Sequence, residues 1–443
     1  MTPVSIIGAG WAGLAAAVEL SRCNIPVTVY ESARQVGGRA RDVEINGVTL
    51  DNGQHLIIGA YNQLLALLKL CGVNESEVFH RIPQHIRLMD FQSGQIAFEL
   101  KLPHWPAPLN LLGGILTCPT LGLPDKLKTL WRYNKLLNNQ LTQDMSVTEW
   151  LAQAELPPAY ADNLLKPLCL AALTTHPDQA SARAFQTVLQ QTFNGPGSNT
   201  DLLIAKTTLG KVFPEIAVRY IESHGGQVLT SHKINSIDPV HQIILVNDQP
   251  VHYQQLIIAT PSHITQALLQ PIDELSGIAN KLSQLQHEPV CTLYLQYPPH
   301  VRLPIPMLGC INATSEWIFD RSYCNQPGLI SVIISAKGEH MSWSNDELAN
   351  KIASELAQLF PDWPVPVSTQ VIREKRAGFS CTTNIDNLRP SIRTALANIK
   401  LCGDYVYIED NSLPGLPATL EAAVRSGVKC AQQTLQDIAS CNT

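Results

Sequence analysis

Residues 4–31, VSIIGAGWAGLAAAVELSRCNIPVTVYE, decide the fold of this chain. Val4–Ile7 is a short apolar run. Gly8-Ala9-Gly10-Trp11-Ala12-Gly13 follows at once, and residues 12–21 form a helical stretch of Ala, Leu and Val. A second β-branched run, 25–30, ends at Glu31. Strand, glycine turn, helix and strand in that order predict two parallel strands joined by a helical crossover. Gly8 permits the tight turn, Gly10 lets phosphates approach the backbone, and Gly13 lets helix and strand pack closely. Around them, Ala9, Trp11 and Ala12 line the turn, and the helix start offers free N–H groups and partial positive charge to an anion. Glu31 stands where an acid accepts hydrogen bonds from an adenosine ribose.

The reading is a Rossmann-type dinucleotide fold. The glycine turn alone does not separate FAD from NAD. Gly37-Gly38-Arg39 follows Glu31 closely. Its glycines permit a tight backbone path beside a cofactor. Arg39, with Arg41 as a second candidate, offers a guanidinium to the diphosphate. Near the other end stand Cys402-Gly403-Asp404 and residues 416–427, LPATLEAAVRSG.

With both ends in view, the sequence resembles the flavin amine oxidase and phytoene desaturase superfamily. The resemblance implies FAD as cofactor. It places Gly403 and Asp404 at the phosphate and ribitol, and the helix that starts at Thr419 facing the flavin N1–C2=O edge. A helix N-terminus there stabilises the negative charge of a reduced flavin. The expected class is α/β: a Rossmann-type FAD-binding domain assembled from discontinuous segments, with a second, mixed α+β substrate-binding lobe. Dinucleotide-fold features near the start, near 205–265 and near the end assign residues 1–74, 201–269 and 386–443 to the first. Residues 75–200 and 270–385 form the second.

Residues 51–61, DNGQHLIIGAY, and 167–173, PLCLAAL, resemble one branch more closely, the bacterial hydroxysqualene dehydroxylases. So do the run from Asp201 to Leu209, Phe213-Pro214 and Gly225-Gly226. The segment between Asp404 and Leu416, YVYIEDNSLPG, is longer than usual for that branch. The implied reaction is reductive: acid-assisted loss of an allylic hydroxyl, then hydride from reduced flavin, giving squalene and water. Gln54 is the candidate for orienting the hydroxyl and His55 for protonating it, since histidine titrates near neutrality. Each also reads as an ordinary hydrogen-bonded side chain, and His176 reads as a surface-loop histidine. The competing activities are desaturation or isomerisation of a carotenoid-like polyene, amine oxidation, and a non-catalytic flavoprotein.

The 443 residues are 45% hydrophobic and 15% charged, with a net charge of −6. That is too apolar for disorder. Basic runs such as residues 373–376 read as solvated surface, so no nucleic-acid partner is expected. The low charge agrees with an apolar C30 isoprenoid substrate. No second nicotinamide fingerprint is evident, so a separate electron donor is expected. The 11 cysteines show no metal spacing; free thiols in a reducing cytoplasm are the simple reading. The first twenty residues lack a basic start and a cleavage site, and no stretch of membrane-spanning length stays apolar. Residues 102–124, apolar and broken by Pro and Gly, read either as a buried core loop or as peripheral contact with the inner face of the membrane.

Overall fold

The computed structural model describes residues 3–106, 108–139, 141–408 and 415–441. Its opening stretch forms the strand Val4–Ile7, the helix Trp11–Arg22 and the strand Val27–Tyr30. Nearly the whole helix is buried, from Trp11 to Ser21. Small side chains are what such a helix needs when other elements pack on several sides of it.

The two strands sit inside a five-stranded sheet, in the order Gln227–Leu229, Val27–Tyr30, Val4–Ile7, Leu256–Ile258, Ile399–Leu401. Every pairing is parallel, with Val4 opposite Val27, Ser5 opposite Leu256, and Leu256 opposite Ile399. Strands covered on both faces read as continuous apolar runs. Three separated parts of the sequence therefore build one sheet.

A larger sheet of seven strands runs Ser368–Phe379, His287–Gln296, Leu329–Ser335, Trp317–Asp320, Met307–Ile311, His85–Asp90, Gln95–Lys101. All pairs are antiparallel except Met307–Ile311 with His85–Asp90. This sheet joins an early hairpin to a late antiparallel block. A helical region runs from Leu109–Thr117 to Ala182–Phe193. The short strands Ile57–Ile58 and Phe79–Ile82 flank Leu202–Ala205. They pin the chain just after Gln54 and His55.

Two stretches differ from their sequence reading. The sequence of residues 212–224, capped by Gly225-Gly226, reads as one helix, and it is not. A turn of helix, Leu209–Val212, ends at Phe213, and Pro214 opens the helix Pro214–Ser223; proline suits a first helical position and cannot continue an earlier turn. Within 102–124, Gly113-Gly114 was expected to break structure, yet it lies inside the helix Leu109–Thr117. A Cβ on Gly113 would lie 2.7 Å from the Trp105 ring, and one on Gly114 would lie 2.6 Å from Leu102. The glycines allow the helix to press on its neighbours, which outweighs their low propensity.

The last helix, Leu420–Cys441, packs along the first. A Cβ on Gly427 would lie 2.1 Å from the carbonyl oxygen of Ala12 and 3.0 Å from the Ala15 Cβ. The obstacle is backbone, so relief requires moving a helix. Gly427→Ala is therefore expected to destabilise the protein by about 1–3 kcal/mol, read as a lower thermal midpoint. A variant melting with the wild type contradicts this crossing.

Candidate functional site

The glycine turn has the geometry its residues require. Gly8 has φ +103°, and a Cβ on it would lie 2.8 Å from the Ala259 carbonyl oxygen. A Cβ on Gly13 would lie 2.0 Å from the Gly8 carbonyl oxygen. Gly10 caps the helix without any side-chain hydrogen bond. The first N–H groups, of Trp11, Ala12 and Gly13, have no carbonyl partner within the helix. Across from them Gly37 donates its N–H to the Ala9 carbonyl at 2.8 Å, and Gly10 bridges to Gly37. A Cβ on Gly38 would lie 3.2 Å from the Gly10 Cα. Glu31 accepts from the Ala9 and Ala33 N–H groups, both at 2.8 Å. Its carboxylate is thereby held beside the turn with lone pairs to spare.

Arg39 spans to the far end of the chain. Its Nη2 donates to Asp404 Oδ2 at 2.7 Å, and its Nη1 donates to the Ala377 carbonyl at 2.6 Å. Burial opposes the charge, but Asp404, with Glu374 and Tyr405 behind it, holds the guanidinium pKa above its ordinary value. Gly403 donates its N–H to Ser426 Oγ at 2.8 Å, which fixes this turn on the last helix. Arg41 donates to the Gly38 carbonyl at 3.0 Å. Arg39 and Asp404 line a groove of about 380 Å³, together with Pro261, His263, His287 and Arg376. Burial and the nearby Arg376 and Arg39 lower the pKa of both imidazoles. The free helix N–H groups, the space left by the glycines and the Arg39 guanidinium fit a dinucleotide diphosphate.

The start of the last helix was read as flavin-facing through Thr419. Its hydroxyl accepts from the Ala422 N–H at 3.1 Å, so it is a helix cap. It also bonds the Tyr61 side chain, whose phenol pKa burial raises. The sequence reading did not single out Glu421. This buried carboxylate accepts from the N–H groups of Gln63 at 2.9 Å and Leu64 at 3.2 Å. Those are the open donors at the start of the helix Asn62–Leu70. One helix thus caps another across 358 residues of sequence.

Gln54 and His55 belong to a polar knot beneath a narrow cavity of about 20 Å³, room for a single water. Asp51 and Arg321, each 1% exposed, are joined at 2.8 Å. Burial opposes the Arg321 charge, and Asp51 together with Tyr294 and Cys324 more than offsets this. Arg321 Nη1 also donates to Gln54 Oε1 at 2.7 Å, while its Nη2 has no partner among the described residues. Asp51 also accepts from the Leu209 N–H at 2.7 Å. His55 Nδ1 donates to the Gly53 carbonyl at 2.8 Å, which leaves Nε2 open. Burial lowers the His55 pKa. Leu202, Leu203, Met307 and Phe319 supply apolar walls. Arg321 gave no signal in the sequence, because its meaning comes from Asp51 and Gln54. His176 is exposed and pairs with Asp178 on the surface. Residues 409–414 of the long 405–415 segment lie outside the described residues.

A family model described as flavin containing amine oxidoreductase matches residues 11–435. A hydroxysqualene dehydroxylase of Sinorhizobium fredii is 27% identical over 446 residues, covering 98% of each chain. One of Zymomonas mobilis is 28% identical over 464 residues, covering 99% of each. A 15-cis-phytoene desaturase of Glycine max is 25% identical over 99% of this chain and 80% of its own. Among solved structures, an oxidoreductase from Methanosarcina mazei superposes with a TM-score of 0.75 at 15% identity, covering 97% of this chain and all of its own. Putrescine oxidase bound to putrescine gives 0.71 at 15%, covering 98% and 99%.

Burial pushes the Glu421 carboxyl up to about 7, against about 4.3 for an exposed glutamate. A raised folded pKa contributes stability that is complete below the unfolded pKa and is lost as pH climbs through the folded value. The wild type is therefore expected to lose up to about 4 kcal/mol through this group between about pH 4 and pH 8. Glu421→Gln, which does not titrate, should show a flatter dependence of melting temperature on pH. An unchanged dependence contradicts the assignment.

Proposed function

This chain belongs to the flavin-containing amine oxidoreductase family and is an FAD-dependent oxidoreductase, and on that premise we propose that it reductively removes the hydroxyl of hydroxysqualene to give squalene. The observation that carries the reading is the end-to-end likeness to bacterial hydroxysqualene dehydroxylases, 27–28% identical over 98–99% of both chains. That likeness includes the half built on the seven-stranded sheet. The same reading assigns residues 1–74, 201–269 and 386–443 to the cofactor half and the remainder to the substrate half.

The backbone of Gly8, Ala9, Gly10, Trp11, Ala12 and Gly13 would hold the diphosphate, with Gly38, Arg39, Gly403 and Asp404 closing over it. Glu31 would take the adenosine ribose, and the helix capped by Thr419 would serve the flavin. Reduced FAD, when bound, supplies the hydride that replaces the departing hydroxyl. The chain's own part is to bind, orient and protonate. Arg321 holds the oxygen of Gln54 and Gln54 Nε2 donates one N–H to the His55 carbonyl at 3.4 Å, which leaves the second amide N–H as the donor for a substrate hydroxyl. His55 would deliver the proton from Nε2, and its lowered pKa makes its charged form a stronger acid. The apolar walls exclude water and accept a hydrocarbon chain. The electrons come from a separate donor.

The likeness to a phytoene desaturase favours one alternative, hydride removal from a polyene by oxidised flavin. Anaerobic incubation of the reduced protein with hydroxysqualene should yield squalene by mass spectrometry, one molecule per flavin reoxidised. No squalene, together with turnover of phytoene by the oxidised protein, overturns the proposal. His55→Gln is expected to slow turnover about 100-fold or more while flavin content stays unchanged. Full turnover in that variant removes His55 as the acid.

A further inference from the structure

The helices Leu109–Thr117 and Leu123–Asn138 each leave an apolar stripe in solvent. On the first, Leu109, Leu112 and Leu116 are 49%, 37% and 45% exposed. On the second, Leu123, Leu127 and Trp131, four residues apart, are 67%, 56% and 71% exposed. Leu111, Ile115, Tyr133 and Leu136 on the other faces are buried. Lys126 ties the helices together, its Nζ donating to the Leu116 carbonyl at 2.9 Å. Single exposed leucines need no explanation, but one-sided stripes on two joined helices do.

Charge says what covers it. Residues 101–138 carry five basic side chains, Lys101, Lys126, Lys128, Arg132 and Lys135, against one acid, Asp125, in a chain of net charge −6. Lys128 and Lys135 are exposed beside the second stripe. The Arg132 guanidinium, ion-paired with Glu155, lies 4.3 Å from the Trp131 ring centre, so among the described residues the unpaired positive charge there comes from the lysines. Tryptophan and leucine flanked by lysine and arginine suit an interface of hydrocarbon and anionic headgroups. A second copy of this chain would bring the same positive charges face to face, which opposes self-pairing. We propose that this face docks on the surface of an anionic lipid bilayer, with the leucines and Trp131 entering the interfacial layer and the lysines at headgroup phosphates. The contact is one-sided, since no helix among the described residues is long and apolar enough to cross a membrane. Residues 102–124 alone lack a basic face; the helix that follows supplies it.

Co-sedimentation of the FAD-loaded protein with vesicles tests the proposal. The protein should pellet with phosphatidylcholine/phosphatidylglycerol vesicles, and less with phosphatidylcholine alone. High salt should weaken the binding without abolishing it. The double variant Leu127→Glu, Trp131→Glu should lose about tenfold or more in vesicle affinity, with flavin content and melting temperature unchanged. Lys128→Glu with Lys135→Glu should remove mainly the salt-sensitive part. The proposal is overturned if the wild type stays in the supernatant with both vesicles, or if the Leu127/Trp131 variant pellets like wild type. It is equally overturned if sedimentation velocity shows a dimer that this variant splits.

Discussion

Arg39 and Asp404 meet at 2.7 Å although 365 residues separate them in sequence. The rest of the architecture is arranged around that meeting of the two ends of the chain. The parallel sheet takes strands from near residues 4–30, 227–258 and 399–401, so each intervening segment must leave the sheet and return to it. The last helix then lies along the first, where Gly427 admits the Ala12 carbonyl. Its first turn reaches the helix Asn62–Leu70 through Glu421. Early turn, late turn and late helix are thereby held as one rigid cradle of N–H groups and positive charge.

The polar knot around Gln54 obeys a different constraint. Asp51 and Arg321 are both buried, and removing two charges from water is costly unless each is paired and hydrogen-bonded. The protein meets that cost with Leu209, Gln54 and Gln326 as further partners. An apolar replacement of similar shape would often be at least as stable, so the knot is more readily understood as orientation. It locks the amide of Gln54 next to His55, at the edge of walls that are otherwise hydrocarbon.

Local backbone demands were legible in the sequence, and long-range partnerships were not. Gly8, Gly10 and Gly13 could be read because the turn itself dictates glycine, whatever surrounds it. Arg39 could be read as a phosphate ligand, but its ion pair with Asp404 joins two motifs that carry no mark of each other. Thr419 stood out through its motif, and in the structure it is a helix cap. Glu421, in the same motif, went unnoticed because its partners are backbone N–H groups of Gln63 and Leu64, which have no side-chain signature. Arg321 was invisible because its side-chain partners Asp51 and Gln54 lie far off in sequence, Gln54 by 267 residues. Gly113-Gly114 misled because a glycine pair reads as a break, whereas here it lets a helix sit on Trp105 and Leu102.

The central claim is that both ends of the chain form a single FAD site, and the cofactor content of the purified protein tests it most directly. Visible absorption, followed by acid release and chromatography of the bound nucleotide, should give one FAD per chain. If the apoprotein is prepared first, FAD should bind back with the same stoichiometry. A colourless protein that stays colourless after incubation with excess FAD, while folded by circular dichroism, would contradict the account.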